Sequence, residues 1–155
     1  MSSSSPITLG WREWVTLPGL DLPAFKAKVD TGARTSAIHA QDMERYSENG
    51  IKMVSFSTLP VQRNQSISRR CSAVLVDIRD VTDSGGHTET RYVIATMLEL
   101  GGVKKEIEIT LTERRDMLFR MLLGRTSLMD DFVVNPALSY TCGRRSTRLL
   151  YSDAS

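Results

Sequence analysis

The chain has 155 residues, 41% of them apolar, which is enough to bury one core in a single domain. Lys and Arg number 20 against 18 Asp and Glu, a near balance that implies no nucleic-acid partner. No apolar run approaches the roughly 18 residues of a membrane span, and the opening Met-Ser-Ser-Ser-Ser-Pro has neither the basic nor the apolar region of an export signal. Cys71 and Cys142 are therefore expected to stay reduced, and the cytoplasm is the expected compartment.

Ile7 to Leu17 is β-rich, with Trp11 and Trp14 read as packing residues. Pro18-Gly-Leu-Asp-Leu-Pro23 reads as the turn of a hairpin. In the returning strand Phe25, Ala27 and Val29 alternate with Lys26 and Lys28, the period of two of a strand buried on one side. That strand runs into Asp30-Thr31-Gly32, where the glycine permits a sharp turn and Thr31 can bond backbone groups. A carboxylate is thus delivered at the end of a rigid strand, among backbone N–H groups. Beyond it, Thr35 to Tyr46 fits a strand or a short helix, Ser47 to Gly50 a loop, Ile51 to Leu59 a strand, and Pro60 to Arg70 a polar connection.

The clearest hairpin comes next. Val74, Val76 and Ile78 alternate with Leu75, Asp77 and Arg79, and Glu89 to Met97 returns. Residues 81–88 form its tip, where Gly85 and Gly86 supply the positive φ of a tight turn. Gly101-Gly102 turns into a strand over Val103 to Leu111, and Thr112 to Asp116 is a polar turn. Met117 to Leu123 reads as a buried strand ending at Gly124. Thr126 or Ser127 then caps a short helix from Leu128 to Phe132, Asn135-Pro136 ends it, and Ala137 to Cys142 reads as a last strand. Arg144, Arg145 and Arg148 make a solvated basic end.

Three stretches combine: the Asp30 turn, the glycine-tipped hairpin, and Leu122-Leu123-Gly124-Arg125. Together they resemble the retropepsin-like aspartic proteases. More narrowly, Gly10-Trp-Arg-Glu13, Lys28-Val-Asp-Thr-Gly-Ala33, Thr35-Ser-Ala-Ile-His-Ala40 and Leu123-Gly-Arg125 are similar to a bacterial and archaeal family that carries an ATP-dependent zinc protease label. The resemblance implies an all-β, single-lobe acid-protease barrel over residues 7–143, with one short helix after the Leu-Leu-Gly-Arg segment. Residues 1–6 would be a disordered tail and residues 144–155 a basic one. It also implies a catalytic Asp30, an active loop completed by Thr31, Gly32 and Ala33, and a second signature segment at Leu123, Gly124 and Arg125. The hairpin carrying Gly85 and Gly86 would be a flap that closes over a bound peptide.

Aspartic proteolysis needs two carboxylates that share one proton around a water. This chain has one Asp-Thr-Gly, and Asp77, Asp80, Asp83 and Asp116 lack the flanking residues. The expectation is a twofold homodimer in which Asp30 of each copy meets on the axis. The alternative is a non-catalytic peptide-binding module of the same fold, holding an extended chain by strand addition. The zinc in the label finds no ligand set: the histidines are His39 and His87, in no His-Glu-x-x-His, and the cysteines form no Cys-x-x-Cys. His39 is expected to be structural, and no metal or cofactor is expected. No phosphate-binding glycine loop occurs either, so ATP dependence would come from a partner.

In many retroviral enzymes an Asp stands four positions after the catalytic one and pairs with the Arg of the second segment. Here that position is Arg34, of the same sign as Arg125. Two arginines beside the cleft favour an acidic peptide. The resemblance points the same way, since relatives accompany ATP-grasp ligases that add glutamates to a ribosomal protein tail. The implied substrate is a glutamate-rich tail, and the implied functional partner is such a ligase.

Overall fold

A computed structural model describes residues 5–82, 85–114 and 116–151. The first four residues of the expected N-terminal tail, Asp83 and Ser84 of the hairpin tip, Arg115 of the polar turn and the last four residues of the basic tail lie outside these.

Alternation decides most of the architecture. β1 (Ile7–Leu9) is followed by β2 (Arg12–Leu17), which turns through a 3-10 segment at Pro18–Leu20 into β3 (Leu22–Val29). β4 (Ser36–His39), β5 (Gln41–Glu48), β6 (Ile51–Thr58), β7 (Arg69–Thr82), β8 (Thr88–Leu100) and β9 (Val103–Thr112) follow. Then come β10 (Met121–Leu123), α1 (Arg125–Leu128), β11 (Phe132–Val134) and α2 (Thr147–Leu150). The chain is all-β.

One sheet holds nine strands in the order β2-β3-β10-β4-β9-β8-β7-β6-β5, and β2 meets β8 again at Thr16 and Glu99. That contact curls the sheet into a barrel around side chains such as Phe25, Phe56, Ile94, Leu98 and Ile109, none more than 2% exposed. Burying each of these stabilises the fold by about 1.5–3 kcal/mol before the entropy of ordering it. β1 and β11 form a separate parallel pair.

The insertion of β10 shapes the site. β3 and β4 are consecutive along the chain, yet they are not neighbours in the sheet. β10 lies between them, parallel to β3 (Leu123 beside Val29) and antiparallel to β4 (Met121 beside Ile38).

Of the two forms open to Thr35 to Tyr46 the structure takes strand, as β4 and β5. Other sequence expectations need correction. The expected loop at Ser47 to Gly50 narrows to a two-residue turn, with Asn49 at φ 53° and Gly50 at 81°, and pairing continues through Glu48 and Ile51. An Asn-Gly pair suits the mirror-image turn that matches strand twist.

The strand expected over Met117 to Leu123 shrinks to β10. Met117 donates its N–H back to the Arg114 carbonyl (3.1 Å), and Leu118 is left 45% exposed. The helix runs from Arg125 to Leu128 instead of Leu128 to Phe132, with Phe132 opening β11, because the Arg125 and Thr126 N–H groups find the Ala33 and Arg34 carbonyls (2.8 and 3.0 Å) instead of a side-chain cap. Ala137 to Cys142 forms turns rather than a strand, since Tyr140 takes a left-handed φ of 52° while its N–H donates to the Arg12 carbonyl (2.9 Å). Farther on, Tyr151 is buried, and its hydroxyl donates to the Pro23 carbonyl (2.9 Å).

Candidate active site

Asp30 follows β3 directly, and its N–H continues the ladder by donating to the Leu123 carbonyl (2.9 Å). The chain then turns: Ala33 donates its N–H to the Asp30 carbonyl (3.2 Å), and Gly32 donates its N–H to Asp30 Oδ1 (3.0 Å). One carboxylate oxygen is therefore held by the turn it belongs to. The side chain remains half-buried.

The second segment locks this turn from behind. Gly124 lies so close to Thr35 that a Cβ there would stand 2.5–2.9 Å from the Thr35 backbone, inside any permitted contact. Its N–H donates to Ser36 Oγ (3.0 Å), and Ser36 Oγ shares a 2.6 Å bond with Ser127 Oγ, both hydroxyls being buried. The Arg125 guanidinium donates to the Thr31 carbonyl (3.4 Å). The structure thus brings Asp30, Thr31, Gly32, Ala33, Leu123, Gly124 and Arg125 into one hydrogen-bonded unit.

Arg34 and Arg125 line different hollows. Arg34 borders a cleft of about 630 Å³ with Thr35, Thr126, Arg79 and Glu106 to Glu108. Arg79 is already held there by Asp77 (2.7 Å) and Glu108 (3.1 Å), and its hydrogen bond keeps the Asp77 carboxyl below the usual range. Arg125 borders an apolar hollow with Trp11, Val29, Thr31 and Phe132. Met129 and Val133, also in its wall, are 57% and 48% exposed.

Gly85 and Gly86 sit exposed at the end of the β7–β8 hairpin. β9 supports β8 only from Val93 onward, so residues 88–92 have β7 as their one paired neighbour.

His39 is fully buried. Its Nδ1 accepts the Arg114 N–H (3.0 Å), which leaves the ring proton on Nε2, where it is donated to Gln41 Oε1 (2.9 Å). Both ring nitrogens are thus engaged in holding loops together. Among the described residues, no three His, Cys, Asp or Glu side chains gather as metal ligands. Cys71 and Cys142 are free thiols, the first buried and the second exposed.

Sequence reasoning gave Glu13 no role of its own. It occupies a core-facing register of β2 and is fully buried. Its Oε2 accepts from the Gly10 N–H (2.7 Å), the Thr141 N–H (3.0 Å) and the Thr141 hydroxyl (2.8 Å), while Oε1 accepts from the Cys142 N–H (3.2 Å). The signal was present in the alternation: a charged residue stands where Val15 and Leu17 continue the buried face, and a buried carboxylate must find donors.

An all-β single lobe, with Asp-Thr-Gly after one strand and Gly-Arg after the strand beside it, has the fold and motif placement of a retropepsin-like lobe. The chain belongs to the RimB-like family, described as retropepsin-like aspartic endopeptidases, whose model matches residues 8–145. It is similar to a probable alpha-L-glutamate ligase of Shewanella pealeana, 42% identical over 143 residues, covering 92% of this chain and 31% of that protein. A protein of the same description from Desulfotalea psychrophila is 41% identical over 142 residues. The chain thus spans about a third of the length of these relatives, 31% in both cases. Among solved structures it is similar to Lpg0085 of Legionella pneumophila, a protein of unknown function, with TM-score 0.75 and 27% identity over 89% of this chain and 99% of that one.

Proposed function

We propose that this chain is an aspartic endopeptidase that works as a homodimer, with Asp30 of each copy forming the catalytic pair. The observation that carries the reading is the single Asp-Thr-Gly turn, whose carboxylate is oriented by Gly32 and whose backbone is locked to Gly124. One such turn per chain is half a site. The apolar hollow beside Thr31, with Met129 and Val133 exposed in its wall, is the surface on which a second copy would bring the other half.

In that arrangement the two carboxylates share a proton and hold one water between them. One takes a proton from the water as its oxygen attacks the peptide carbonyl carbon, and the other protonates the carbonyl oxygen. The tetrahedral intermediate collapses as its C–N bond breaks and the nitrogen gains a proton. The outer half of the β7–β8 hairpin serves as the flap, with Gly85 and Gly86 at its end.

The substrate class is an acidic, glutamate-rich peptide. Arg34 beside its cleft supports this, and so does likeness to proteins described as glutamate ligases. A peptidase of this kind would remove in the cytoplasm what such a ligase adds. The functional unit is residues 7–143.

Asp30→Asn keeps the size of the side chain and removes the acid. Cleavage of a glutamate-rich peptide should fall by several orders of magnitude while melting temperature and peptide binding persist. Unchanged cleavage, or a monomer with full activity in sedimentation, would end the paired mechanism. Binding without cleavage by the parent chain at any pH would instead favour the non-catalytic peptide module.

A further inference from the structure

The pairing of β2 with β3 sets Arg12 beside Lys28 and Trp14 beside Lys26. Because Phe25, Ala27 and Val29 face the core, these four side chains share the outer face. Glu13, pointing the other way, clamps Thr141 and Cys142, and this holds Tyr140 over the same face. The Tyr140 ring lies 6.4 Å from Trp14.

Cations then settle on the rings. The Arg12 guanidinium is 4.5 Å from the Trp11 ring centre and 4.8 Å from that of Tyr140. The Lys26 ammonium is 5.4 Å from Trp14 and 5.8 Å from Tyr140, and the Arg144 guanidinium is 4.7 Å from Tyr140. Among the described residues, Arg12, Lys26, Lys28 and Arg144 form no ion pair with an acid. Gathered like charges repel. Ring quadrupoles ease that repulsion without neutralising it, so the face keeps four positive charges, three of them (Arg12, Lys26 and Arg144) held on rings.

We infer that this outer β2–β3 face is an exosite for an acidic peptide segment, placed to lead it toward Asp30. The direction follows from the strand. Lys26 and Lys28 occupy alternate positions, and Asp30 takes the next one on the same side. Outward side chains on a strand repeat at about 6.6 Å, as do alternate side chains of an extended peptide, so glutamates at every second position match the row. A nucleic acid is the poorer fit. Its bases would need open ring faces to stack on, whereas Arg12, Lys26 and Arg144 already cover faces of Trp14 and Tyr140. The inference rests on the acidic-peptide reading above for its occupant.

The test measures binding of a fluorescent oligoglutamate peptide by anisotropy, using the Asp30→Asn protein so that nothing is cleaved. The double reversal Lys26→Glu with Lys28→Glu should weaken binding at least tenfold and abolish most of its salt dependence, with melting temperature unchanged. The charge-keeping pair Lys26→Arg with Lys28→Arg should bind like the parent. Equal binding by the reversal variant would overturn the exosite. So would tighter binding of a single-stranded oligonucleotide than of the peptide. A parent chain that cleaves no peptide would sink the catalytic reading while leaving this binding comparison intact.

Discussion

The Asp30 turn and the outer half of the β7–β8 hairpin differ in what restrains their backbones. The turn is bonded to Leu123 and Arg125, the strand end before it is bonded to Trp11, whose carbonyl accepts the Val29 N–H (2.8 Å), and Gly124 behind it is tied to Ser36. Among the described residues, the hairpin backbone on the tip side of Val93 pairs only within the hairpin, with exposed side chains reaching β9 through Arg79 and Glu108. One region has a single geometry enforced by buried contacts. The other can move without breaking the core.

Breaking the rigid side should have the largest effect. Gly124→Ala places a methyl against the Thr35 backbone, which has nowhere to go. We expect a loss of about 3 kcal/mol or more, and thermal unfolding within about 2 °C of the parent would contradict the close approach. Ser36→Ala should cost less, about 1–3 kcal/mol, because it strands the buried Gly124 N–H and Ser127 hydroxyl. Chemical denaturation of the variant reads it directly.

On the mobile side, Arg79→Ala removes two pairs that are more than a third exposed. Stability should change by at most about 1 kcal/mol, and a larger loss would mean the hairpin is held more firmly than its pairing indicates.

At the hairpin's root the effect shows only at alkaline pH. Burial pushes the Cys71 thiol from 9.0 up to about 12. A group raised on folding contributes fully below its unfolded value and loses that contribution as pH climbs through the folded one. The loss of stability between pH 9.0 and about 12 should therefore flatten in Cys71→Ala, as followed by denaturant midpoints across that range. An unchanged slope would assign the alkaline loss to other groups.

The strands with strict alternation were legible, and so was the Asp30 turn, because both are written in neighbouring residues. β10 was not. Only Met121, Leu122 and Leu123 pair, and nothing within three residues tells them to slide between β3 and β4. Met117 to Phe119 shares their apolar character, so composition extended the strand where the chain in fact bends. Tyr140 hid for a similar reason: its left-handed backbone is fixed by bonds to Arg12 and by Glu13 holding Thr141. The Ser36–Ser127 bond joins residues far apart in sequence, and neither serine stands out alone.

The position of β10 has a bearing on synthesis. Asp30 is made early, yet the strand that separates β3 from β4 and the glycine that backs the turn are made some ninety residues later. Until Met121 to Gly124 arrive, β3 and β4 have a gap where their shared neighbour belongs, and the carboxylate has no fixed bearing. Pairings so distant in sequence form late. A nascent chain, or one broken off before residue 121, would therefore carry Asp30 without the frame that aims its carboxylate.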